Sequence, residues 1–184
     1  MKLLKAKQLE VHPPLDLETY MFLAQVKAME GRDTVELISF WSKWASCLKV
    51  YRLGDKKGYV LAYLEHEVSE EVDAIWDTSP ARGFKLEALA QTMIVGVMRS
   101  LLPELSSTRC APVPKPNKIL KRSLGKIGLE FSPAGALNYK YSTITFYPYR
   151  GGCNLCYLKE SCPNSTFNIA CKKGQFEQVV VKPS

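Results

Sequence analysis

The chain has 184 residues, 46% hydrophobic and 23% charged, with a formal net charge of +7. That length fills one core and barely two, and the composition is that of an ordinary globular protein without repeats or low-complexity segments. No apolar run approaches the ~20 residues that span a bilayer, so no membrane partner is expected. The basic balance suits acidic partners: nucleic acid, CoA phosphates or an acidic protein face. Met1-Lys2-Leu3-Leu4-Lys5 leads into Lys7, Glu10 and His12 without a signal-peptide core or a small-residue cleavage site. A cytoplasmic location, or assembly into a particle inside the cell, is therefore expected. In such a reducing compartment, clustered cysteines mean metal more often than disulfides.

Residues 5–12 are expected to form a first strand, stopped by Pro13-Pro14. Residues 16–29 carry Leu17, Tyr20, Met21, Ala24 and Ala28 at helical spacing, and Gly31 ends that helix. Asp33-Thr34-Val35-Glu36 has the form of a capping box. It opens a second helix that runs through Cys47 and carries Leu37, Ile38, Trp41, Trp44 and Ala45. Three strands are expected next, at 48–53, 59–68 and 72–76, separated by the turns 54–58 and 69–71. After Ser79-Pro80-Ala81-Arg82-Gly83 the apolar period lengthens to that of a helix. Leu86, Leu89, Met93, Val97 and Leu101 form its face, and Pro103 closes it.

Residues 109–113 read as a short strand. Asn117 caps an amphipathic helix through Lys126, ended by Gly128. Residues 129–131 and 142–149 read as late strands. Gly151-Gly152 marks a break in character, which divides the chain into a domain over 1–150 and a cysteine tail over 151–184. A last strand is expected at 176–181.

This order of elements resembles the GNAT superfamily of N-acetyltransferases over residues 1–150. The resemblance implies an α/β (α+β) fold, with a mixed, mainly antiparallel central sheet flanked by helices. Two stretches carry it. Pro80-Ala81-Arg82-Gly83-Phe84-Lys85, between a strand and a long helix, is similar to that family's pyrophosphate-binding turn. Asn117 followed by Lys126-Ile127-Gly128-Leu129 is similar to its late Asn … Lys-Leu-Gly-Phe segment. The implied activity is acyl-CoA-dependent N-acyl transfer to an amine substrate, with acetyl-CoA held by Arg82, Gly83, Phe84, Lys85 and Asn117. The physical basis is general: a turn feeding a helix N-terminus offers unpaired N–H groups and the positive dipole end to phosphate. Arg82 would add a bidentate donor and Gly83 a close backbone approach.

The sequence departs from the family pattern twice. Lys85 stands where a second glycine is usual, and Leu124 stands where many members carry a general-acid tyrosine. Glu65, Glu67 and Asp73 are the candidates for a general base, with Glu65 and Glu67 on one strand face and His66 on the other. The plain reading of Arg82-Gly83 is a loop before a core helix. The losses point to a second reading: a catalytically silent GNAT-fold component of a larger assembly, such as a phage particle.

Cys153, Cys156, Cys162 and Cys171 give the spacing C-x2-C-x5-C-x8-C. The first pair has the spacing of a metal knuckle, two thiolates on one tight turn. An all-sulfur set suits zinc or iron–sulfur. The stretch from Cys153 to Pro163 resembles the C-x2-C-x5-C-Pro tail of the CRISPR-associated iron–sulfur exonucleases, which implies a [4Fe-4S] cluster. Zn2+ is the alternative. The expected role is a structural staple, with redox sensing as the sharper alternative. Cys47 and Cys110 read as buried small apolar residues. Lys115, Lys118, Lys121, Arg122 and Lys126 load one helix with positive charge. A solvated face is the plainer explanation, and nucleic-acid binding the other.

Overall fold

A computed structural model describes residues 3–105, 110–132, 135–160 and 162. Four strands, β1 (Ala6–Leu9), β2 (Leu48–Leu53), β3 (Gly58–Leu64) and β4 (Ser142–Tyr147), form one antiparallel sheet in that order. With them are five helices among the described residues: α1 (Leu17–Leu23), α2 (Gly31–Ala45), α3 (His66–Thr78), α4 (Pro80–Leu101) and α5 (Lys118–Gly125). The expected class, mixed α/β with an antiparallel sheet flanked by helices, is what is found. No helix among the described residues is long and apolar enough to cross a membrane.

The run Val60-Leu61-Ala62-Tyr63-Leu64 makes β3 apolar at every position, and all five residues are buried. A strand with this pattern must be covered on both faces. Val60, Ala62 and Leu64 turn to one cluster with Trp44, Leu89 and Met93, while Leu61 and Tyr63 turn to another with Leu120 and Leu124 of α5. Pairing of Val50 with Ala62 in β2, and of Leu61 with Ile144 in β4, keeps this two-residue alternation in register.

Helix α4 is the long axis of the larger layer. Leu86, Leu89, Met93 and Val97 are all fully buried along it. Pro80 occupies its first turn, where a missing N–H costs nothing. One turn on, a Cβ at Gly83 would lie 2.6 Å from the Trp76 ring and 2.9 Å from the Trp76 Cα. Only glycine lets α3 and α4 approach this closely.

Several sequence expectations are corrected. Residues 72–76 form no strand, because they belong to α3, and the turn expected at 69–71 lies inside the same helix. Val72-Asp73-Ala74-Ile75-Trp76 has the β-branched and aromatic residues of a strand, but the buried Val68 and Val72, with Ile75 and Trp76, recur at helical spacing. Residues 110–113 form no strand, and 129–131 contribute only the bridge Phe131↔Leu137. β4 stops at Tyr147, before Pro148, which cannot extend a ladder.

Helix α1 ends at Leu23, earlier than expected. The N–H of Val26 donates to the Met21 carbonyl, the N–H of Gln25 donates to that of Phe22, and Gln25 has φ +54°. This is a Schellman closure with glutamine in the left-handed position usually given to glycine. Helix α2 begins at Gly31 without a side-chain cap, so the capping box expected at Asp33 is not used. The strand expected at 176–181 lies outside the described residues.

Asp16 caps α1 by accepting from the Thr19 N–H at 3.0 Å and from the Thr19 hydroxyl at 2.6 Å. Arg99 of α4 donates to the same carboxylate at 3.0 Å, tying the two helices together. The Thr19 hydroxyl, then the Thr19 N–H, hold the Asp16 pKa below its ordinary 3.8, with Arg99 adding to them against desolvation.

Two measurements test this packing. Gly83→Ala would normally strengthen a helix, but here overpacking against Trp76 is expected to cost about 1–3 kcal/mol by urea unfolding. A neutral or stabilising Gly83→Ala contradicts the close approach. Asp16 has a lowered folded-state pKa, so its charge stabilises the fold above the unfolded value and the gain is lost as pH falls. The stability difference between wild type and Asp16→Asn is expected in full at neutral pH and to shrink below about pH 4. A difference that persists undiminished into acid contradicts it.

Candidate functional site

The turn expected to bind pyrophosphate is the first turn of α4, and α3 rather than a strand leads into it through Ser79. The Gly83 N–H donates to the Ser79 carbonyl at 2.8 Å, so it is already spent. Arg82 Nε donates to Glu36 at 2.7 Å, and Lys85 Nζ donates to Asp33 at 3.1 Å. Both carboxylates come from α2, one turn apart. Phe84 sets its ring edge-on to Trp76, 6.5 Å between centroids. Arg82, Lys85, Asp33 and Glu36 border a cavity of about 270 Å³ together with Tyr20 and Leu37. Desolvation, then Asp33 and Glu36, push the Tyr20 hydroxyl up to about 12. The cavity wall therefore carries two cations and two anions, already matched in pairs.

Asn117 is far along the chain from that turn, and its side chain accepts from the Leu120 N–H at 2.9 Å as the cap of α5. Leu124 is fully buried on the inner face of α5, in the cluster under β3. The general-base candidates lie along α3 instead of a strand. Glu65 precedes its first turn and pairs with Lys49 at 3.2 Å, Glu67 is exposed in that turn, and Asp73 pairs with Lys140 at 2.8 Å. His66 stacks on the Tyr139 ring, 4.2 Å between centroids. None of these acids lines the cavity at Arg82 or a second cavity of about 400 Å³ between β4 and the tail. The structure does not bring the candidate acids together with the candidate cofactor residues.

The cysteine tail is different. Cys153–Leu155 form a single 3-10 turn, entered through Gly152 at φ +114°, and the Cys156 N–H donates back to the Cys153 carbonyl at 3.1 Å. This is the local turn that C-x2-C spacing predicts. The knuckle sits on the connector between α4 and α5. The Tyr157 N–H donates to the Val113 carbonyl at 2.7 Å, and the Tyr149 hydroxyl donates to the Cys110 carbonyl at 3.2 Å. The connector is fixed in turn to β4 by the buried Thr145 hydroxyl, which donates to the Pro112 carbonyl at 2.8 Å. On the other side Tyr157 packs on Gly135, where a Cβ would lie 2.5 Å from its ring.

Cys110 was not expected at this place. It is exposed, not buried among apolar residues. Desolvation pushes its thiol pKa up, and the thiols of Cys156, Cys162 and Cys153 push it further in the same direction. Mutual repulsion of thiolates explains that sign, and a bound cation would reverse it. The signal in the sequence was the connector itself: Cys110-Ala111-Pro112-Val113-Pro114-Lys115-Pro116 is too proline-rich for an interior strand. As they stand, no three or more Cys, His, Asp or Glu side chains among the described residues are closed around a metal position. Cys171 lies outside the described residues. Neither histidine joins the cysteines: His12 pairs with Glu10, and His66 stacks on Tyr139.

No family model, curated protein or solved structure matches the chain.

Proposed function

We propose that this chain is a catalytically silent binding or structural component, built on a GNAT-like α/β scaffold and stapled by a cysteine-held metal centre. The observation that carries the silent reading is the state of the α4 N-terminus. Arg82 and Lys85, the cations an acyl-CoA pyrophosphate would need, are matched by Glu36 and Asp33. Gly83 is needed for Trp76, so its lack of a side chain already has a packing cause. An N-acyltransferase would have to break both ion pairs and find its base among acids that lie elsewhere on α3.

Binding is supported by apolar side chains left in solvent. Val35 and Ile38, one turn apart on α2, are 70% and 51% exposed, and Phe22 is 81% exposed. Large apolar groups in such positions suit a protein partner. The centre itself would be [4Fe-4S] or zinc, held by thiolates and supplying folding energy to a segment with little core of its own.

Thermal melting with acetyl-CoA separates the two classes. An acyltransferase at about 100 times the dissociation constant would be stabilised by ~2.7 kcal/mol. No shift is expected at saturating acetyl-CoA, and a clear shift that Arg82→Ala abolishes would overturn the silent reading.

A further inference from the structure

The outer edge of β4 is covered only in part. The Leu64 N–H donates to the Tyr141 carbonyl at 2.9 Å, and the register pairs Ala62 with Thr143 and Val60 with Thr145. Bonded positions alternate in an antiparallel pair, so Tyr141, Thr143 and Thr145 turn their backbone groups toward β3. Those of Ser142, Ile144 and Phe146 turn outward, and among the described residues they meet no hydrogen-bond partner. Ile144 is only 3% exposed. A backbone N–H and carbonyl in so dry a place are rarely left without a partner. The connector does not supply one. Its Pro112 carbonyl accepts from the side chain of Thr145, and Pro112, Pro114 and Pro116 have no N–H to donate.

The cavity of about 400 Å³ lies on this same stretch. Ser142, Thr143 and Ile144 all line it. Neighbours in a strand point to opposite faces, so the cavity opens at the edge of the sheet and not over one face. Phe131, Leu137 and Leu158 make the rest of its wall largely apolar. An occupant must therefore bring an extended backbone for the edge and apolar side chains for the cavity.

We propose that residues 176–181 of this chain are that occupant, added to β4 as a further strand. Phe176, Val179, Val180 and Val181 have the aromatic and β-branched character that such a position favours. Leu158, in the cavity wall, already brings the tail to this place. From residue 162 to residue 176 the chain can reach up to about 45 Å when extended. A segment tethered in this way meets the edge at roughly millimolar effective concentration. The inference goes beyond the functional reading above and does not rest on it, since it needs neither a metal nor a partner protein. It makes the tail the element that completes the sheet, and it fills the cavity with side chains in place of a small ligand.

Amide hydrogen exchange, read residue by residue by NMR, compares the full chain with one that ends at Gly174. Protection of the Ser142 and Ile144 N–H groups is expected to fall about tenfold in the shortened chain, the worth of one hydrogen bond each. Thr143 and Thr145, bonded to β3, are expected to keep theirs. A synthetic peptide of residues 175–184 added in trans is expected to restore the loss. Unchanged protection of Ser142 and Ile144 after shortening overturns the proposal, as does fast exchange of both in the full chain. Protection that rises with protein concentration overturns it in favour of a strand from a second copy. If shortening lowers protection evenly along β4, or the shortened chain fails to fold, full-length Val179→Pro and Val180→Pro decide. Only one of two neighbouring residues in an edge strand points its N–H at β4, so one proline is expected to release Ile144 and the other to spare it. Equal effects of the two overturn the proposal.

Discussion

The constraint on which the structure depends is that β3 is apolar on both faces. A strand such as Val60-Leu61-Ala62-Tyr63-Leu64 cannot face water on either side, so the sheet has to be sandwiched. One face takes the four helices of the first half of the chain, with α4 fully buried along its inner line. The other face takes the short α5, through Leu120 and Leu124, and the irregular chain after it, through Leu129, Phe131 and Leu137. That second cover is thin. It leaves β4 at the sheet edge to be closed by irregular chain, namely the proline-rich connector and the cysteine knuckle. The metal centre proposed for the tail would strengthen this part of the sandwich.

The same packing logic accounts for the α4 N-terminus. A helix start that binds phosphate needs free N–H groups, uncommitted cations and room for the backbone to approach. Here the room at Gly83 is filled by Trp76, its N–H bonds to Ser79, and the cations face Asp33 and Glu36 across from α2. The ion pairs are half-exposed and individually weak. Their significance is chemical: the cavity they border is charge-matched before any ligand arrives.

Local signals were legible in the sequence and long-range ones were not. β2, α4 and the Asn117 cap of α5 stand where spacing and capping chemistry put them, because each depends on a few adjacent side chains. The tight turn at Cys153–Leu155 is local in the same way. The stretch 72–76 reads as a strand because five residues rich in β-branched and aromatic side chains are too few to fix a period, and the burial of Val68 beside Val72 decides for a helix. The place of Cys110 is not legible locally, because the tail segment bonded to its carbonyl through Tyr149 comes only after α5 and β4 in the chain. No local pattern announces such a neighbour. The general-base candidates moved with α3, so the strand-face argument for Glu65 and Glu67 went with the strand.

The central claim is a metal held by sulfur alone, and X-ray absorption at the iron and zinc edges of anaerobically purified protein tests it most directly. One zinc or one four-iron cluster per chain, with only sulfur from the protein bound to it, is the expected result. Protein that holds no metal, or a metal ringed by nitrogen and oxygen, would contradict it.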